Sequence, residues 1–75
     1  MAMSQLLKLS PLQRDIMWML EEAGAETVGT VLATLKITDE DDFNAQVNSL
    51  VTLGLVRKDE NNLVLTERGK IALRT

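Results

Sequence analysis

The chain has no Cys, no His and no Tyr, and holds one Pro, one Phe and one Trp among 75 residues. Without Cys there is neither a disulfide nor a thiolate metal site, and nothing argues for an oxidising compartment. Without His, the commonest general base and the commonest metal ligand are both missing. No Gly-rich phosphate loop is present, and Ser4, Ser10 and Ser49 lack a nearby base. The expectation is a protein that is not an enzyme and needs no cofactor. No apolar run approaches the roughly 18 to 20 residues that span a bilayer. The start, "MAMSQLLKL", has no basic leading region and no long apolar run, which speaks against a signal peptide. A soluble, cytoplasmic chain is expected.

What is present is aliphatic. Hydrophobic residues make up 45% of the chain, so Leu, Val, Ile and Met must build the core. The length fits a single domain, near the lower size at which one core sustains a fold. Residues 1–75 read as that domain, with 1–9 as an apolar N-terminal extension carrying Met1, Met3, Leu6, Leu7 and Leu9.

"SPLQ" opens the first helix, with Ser10 as N-cap, Pro11 at the first helical position and Gln13 completing a capping box. At 100° per residue, Leu12, Ile16, Met19, Leu20 and Ala23 share one arc, and Gly24 stops the helix. A second helix fits "TVGTVLATLK", with Val28, Val31, Leu32 and Leu35 as its buried stripe and Gly29 permitting close packing. Thr38 or Asp39 caps a third helix, whose inner face holds Phe43, Val47, Leu50, Val51 and Gly54. The period then changes from helical to alternating. "LVRK" and "LVLT" read as two short strands joined by the four-residue turn "DENN". Thr66 caps a final helix, "ERGKIALR". The expected core is Leu12, Ile16, Leu20, Val31, Leu32, Leu35, Phe43, Val47, Leu50, Val51, Leu63 and Leu65.

Three helices, a hairpin and a short last helix resemble the winged helix-turn-helix fold, an α+β class that is mainly α. The string "LVTLGLVRKDENNLVLTERGKIAL", residues 50–73, is similar to the end of the recognition helix, the wing and the following helix of multiple-antibiotic-resistance regulators (MarR-like proteins). The matching positions are Leu50, Gly54, Leu55, Val56, Leu65, Thr66 and Gly69. This resemblance implies a DNA-reading third helix and a DNA-contacting wing. The departures are a wing tip that carries Asp59 and Glu60 and the short extension before Ser10.

Two functional readings follow. On the third helix, Asn44, Asn48 and Ser49 face outwards and are suited to base edges. With Arg57 and Lys58 of the wing they make the candidate DNA-binding set. Against this, residues 26–54 hold Glu26, Asp39, Glu40, Asp41 and Asp42 against Lys36 alone. A segment of that charge lacks the phosphate neutralisation on which DNA affinity rests. The reading adopted is a protein-interaction or assembly module, regulatory in character, with Asp41 and Asp42 as partner-binding candidates. Two more candidates, Trp18 and Met17, fall outside the core stripe of the first helix. They suggest contact with a protein partner or with a second copy, a homodimer formed through the N-terminal extension and Trp18. The alternative is a small winged-helix transcriptional regulator.

Overall fold

The computed structural model describes residues 9–74, and the calls on Met1, Met3, Leu6 and Leu7 lie outside them. Four helices and one three-stranded antiparallel sheet are present among the described residues. In chain order they are α1 (Pro11–Ala23), β1 (Ala25–Thr27), α2 (Val28–Thr34), α3 (Glu40–Thr52), β2 (Val56–Asp59), β3 (Asn62–Leu65) and α4 (Glu67–Arg74). The fold is mainly helical α+β, compatible with a winged-helix-like arrangement.

Helix α1 starts as its sequence requires. The Ser10 side chain accepts from the Gln13 N–H at 3.1 Å, and the Ser10 N–H donates to Gln13 Oε1 at 3.0 Å. Both early backbone donors are thereby satisfied, and Pro11 has none to lose. The same side chains reach a second element. Ser10 Oγ donates to Gln46 Oε1 at 2.8 Å and Gln13 Nε2 donates to the Gln46 carbonyl at 3.2 Å. One capping box therefore starts α1 and also fastens it to α3. Gln13 is the one buried polar side chain among the described residues, and these bonds offset its desolvation.

The buried face of α1 is displaced from the expected arc. Ile16 and Leu20 are fully buried as expected, but so is Met17, while Leu12 and Met19 are half-buried and Ala23 is exposed. Helix α1 packs against α3, α4, β1 and β3. Arg74 of α4 reaches Glu21 at 3.8 Å, which places α4 along the flank that carries Met17. Cover on that flank rotates the apolar requirement around the helix.

Two helix ends use one device. Ile37 and Lys36 donate back to the Leu32 and Ala33 carbonyls, and Leu55 and Gly54 donate back to Leu50 and Val51. These are Schellman pairs, in which the residue after the cap takes positive φ. Gly54 meets that demand freely at φ 77°, whereas Lys36 adopts φ 56° with a side chain present. The second motif turns the chain so that Leu55 is buried against the core beside Leu50.

The sheet has one strand more than the expected hairpin. Strand order is β1-β3-β2, with Glu26 opposite Leu63 and Lys58 opposite Leu63 on its other side. Three residues, "AET", are too short to show a period of two, so β1 has no signature of its own. The hairpin turn is also tighter than "DENN". Asp59 pairs with Asn62, leaving Glu60 and Asn61 as the turn, with Glu60 at φ 56°. Val51, expected in the core, is 39% exposed, while Leu9, Leu55, Val56 and Ala72 join the core.

The glycines split by environment. A Cβ on Gly69 would collide with the Leu55 carbonyl oxygen and lie 2.7 Å from Leu65 Cδ1. Nothing lies within 4 Å of a Cβ on Gly29, so the close packing expected there is absent. Gly69→Ala is expected to lower stability by more than about 2 kcal/mol through overpacking against backbone. Gly29→Ala should raise it by about 0.5 kcal/mol through helix propensity. Thermal unfolding of the two variants checks both signs; a shift of about 4–8 °C per kcal/mol is the scale for this size.

Candidate functional site

Helix α3 is the element on which the two functional readings divide. Its inner ridge, Phe43, Val47 and Leu50, is buried, and the carbonyl and side chain of Gln46 tie it to the start of α1. The opposite face is open: Glu40, Asp41, Asp42, Asn44, Ala45, Asn48, Ser49 and Thr52 are all exposed. Asp41, Asn44 and Asn48 follow one another at helical spacings of three and four, so they form one continuous strip.

The four acids at the helix start do not do the same work. Asp39 is the N-cap, its Oδ1 accepting from the Asp42 N–H at 3.0 Å. Glu40, Asp41 and Asp42 occupy the first turn, where carboxylates complement the positive end of the helix dipole. None of them forms an ion pair among the described residues. One acid caps; three present unbalanced charge to solvent.

The basic residues are scattered. Lys70 lies 3.6 Å from Glu67, Arg74 pairs with Glu21, and the Arg68 side chain lies over Gly54. Arg57 and Lys58 are exposed neighbours on β2, so they point to opposite faces of the sheet. Lys58 shares a cross-strand row with Leu63 and Glu26, and Arg57 shares its face with Asp59 two residues on. Each wing base thus has a carboxylate on its own face. Arg57 and Lys58 therefore do not combine into one basic face.

The hairpin also has little reach. Strand β1 accompanies β3 up to Asn62, the residue next to the turn. The Asn61 carbonyl in the turn itself accepts from the Val28 N–H at 2.8 Å, at the start of α2. The tip is pinned to the body, with no overhang beyond the third strand.

Of the partner candidates on α1, Trp18 is 52% exposed and Met17 is fully buried. Met17 is therefore removed from the candidate surface: it is core, for the reason given by the position of α4. The oxygen Oε2 of Glu21 is buried without a hydrogen-bond partner, while Oε1 faces Arg74. Sequence reasoning missed the bonds from the Ser10–Gln13 capping box to Gln46 and the Glu21–Arg74 pair. Neither has a local signal, because each joins residues more than thirty positions apart.

Among the described residues no group of three or more acids is arranged to hold a metal ion, and no helix is long and apolar enough to cross a membrane. Comparison of the chain with protein-family models, curated proteins and solved structures found no match.

The division of labour among the acids is open to a direct check. Asp39→Ala should cost about 1 kcal/mol, the usual value of a lost N-cap. Asp41→Ala and Asp42→Ala should each cost only a few tenths, the scale of an exposed charge at a helix end. Urea unfolding of the three variants measures the contrast, and equal losses would contradict it.

Proposed function

We propose that this chain is a winged-helix module that works by protein contact, with the exposed face of α3 as the docking surface for a basic partner. The observation that carries this reading is the set of unpaired acids, Glu40, Asp41 and Asp42, with no base on the exposed face of the same helix. In a winged helix this is the helix that meets a DNA groove. Carboxylates there repel phosphates, and screening over about 8 Å at physiological salt softens the repulsion without reversing it. The divided wing bases and the pinned hairpin tip support the same reading, since neither supplies a phosphate clamp.

A second reading, a small DNA-binding regulator of the MarR-like type, is favoured by the exposed strip of amides. Asn44 and Asn48 lie one turn apart on the outer face, with Ser49 beside them. An asparagine so placed is able to pair bidentately with adenine. That reading needs phosphate contacts from Arg57 and Lys58 to hold the helix in the groove. The charge at the helix start puts it second.

Fluorescence anisotropy with labelled random-sequence duplex DNA separates the two. The expected result is no binding by the wild-type chain at physiological salt. The double variant Asp41→Lys/Asp42→Lys should gain measurable binding at low salt, because four units of charge change where the groove would lie. Wild-type binding with a steep salt slope, weakened by Arg57→Ala and Lys58→Ala, would overturn the proposal in favour of the regulator.

A further inference from the structure

Helix α1 carries a second exposed surface that the reading of α3 does not use. Trp18 is 52% exposed, the largest side chain left open on the described surface. The residues one turn before and one turn after it, Arg14 and Glu22, are also exposed. Neither makes an ion pair among the described residues, although Glu21 next door is paired with Arg74. At 100° per residue the three positions fall within about 80° of arc, on the i±4 ridge of the helix. They form a row with a base at one end, an indole in the middle and an acid at the other.

Such a row is complementary to itself when reversed. A two-fold axis makes an isologous contact, in which each residue meets the position that mirrors it about the centre. With Trp18 at the centre, the four-residue offsets bring Arg14 opposite Glu22 twice over. The geometry points to a self-association face: two copies pack α1 against α1 in antiparallel register, Trp18 on Trp18, with Arg14 of each copy opposite Glu22 of the other. The i±4 ridges of both helices run side by side in the commonest helix-packing class, which is the crossing this row requires.

Asp15 and Glu21 lie about 60° to either side of Trp18, at the two edges of the row, and Arg74 counters the Glu21 charge at 3.8 Å. Trp is the residue most favoured at the centre of protein contacts, and a rim of paired charges excludes water around it. One helix face from each copy lies at the small end of the interface range, so association is weak and concentration-dependent. The inference stands independently of what α3 binds, because the row lies on a different helix.

Sedimentation equilibrium of the full chain over a wide concentration range, at low and physiological salt, is the test. The wild type should show a monomer–dimer equilibrium, with tryptophan emission moving to the red on dilution. Arg14→Glu places acid against acid at both ends, and Glu22→Arg places base against base. Each should weaken the dimer about tenfold or more, the scale of two rim pairs turned from attraction to repulsion. Mixing these two variants should restore association as a heterodimer, and the double variant Arg14→Glu/Glu22→Arg should restore it within one chain. Trp18→Ala should abolish it, with circular dichroism showing an unchanged fold in every variant. A monomer at all concentrations would overturn the proposal. So would single charge reversals that associate like the wild type and show no preference for each other. A monomer whose tryptophan emission shifts to the red only when residues 1–8 are removed would assign the face to the chain's own N-terminal segment instead, and would equally overturn it.

Discussion

The carbonyl of Leu55 is the point on which four elements converge. The Schellman end of α3 at Gly54 delivers it, and β2 begins just after it. The Thr66 N–H, after β3, donates to it at 3.1 Å, and Gly69 in α4 packs against it so closely that no side chain fits between. Thr66 Oγ1 adds a 2.6 Å bond to the neighbouring Gly54 carbonyl and accepts from the Gly69 N–H at 3.0 Å. One threonine therefore caps α4 and holds it to the end of α3. The spacing of Thr66 and Gly69 has a physical meaning here: the threonine supplies the clamp and the glycine supplies the space.

A second fastening lies at the middle of α3. There the Ser10 and Gln13 capping box doubles as a tertiary link to Gln46. In both, the capping side chain also satisfies an N–H that the start of α1 or α4 leaves open. A small domain with an aliphatic core gains two defined hinges of hydrogen bonds without adding buried charge. The consequence for function is that α3 is held at its middle and at its C-terminal end, and Asn44, Asn48 and Ser49 of its outer face stay exposed. Whatever that face contacts, its residues can be changed with little effect on the fold.

The placement of charge follows a similar economy. Two bases of α4 pair with acids, Lys70 with Glu67 on the same helix and Arg74 with Glu21 on α1. Acids at the start of α3 stabilise the helix dipole and have no such counterpart. The surface therefore divides into a negative strip on α3 and a mixed, self-complementary row on α1.

Much of this architecture is local and was legible from the chain itself. The Ser10 cap, Pro11, the Asp39 cap, the buried Phe43–Val47–Leu50 ridge, the positive-φ Gly54 and the Thr66 cap depend on neighbours three or four positions away, so spacing reveals them. The exposure of Trp18 was legible for the same reason. The tertiary structure alone decided the rest. Met17 is buried because α4, fifty residues later, lies along its flank. Strand β1 exists because β3 offers it an open edge, since three residues carry no period. The hairpin tip is pinned because Val28 finds the Asn61 carbonyl. Short-range geometry fixes caps, ridges and turns; which flank is covered, and which charges meet, depends on contacts between distant segments that no local pattern encodes.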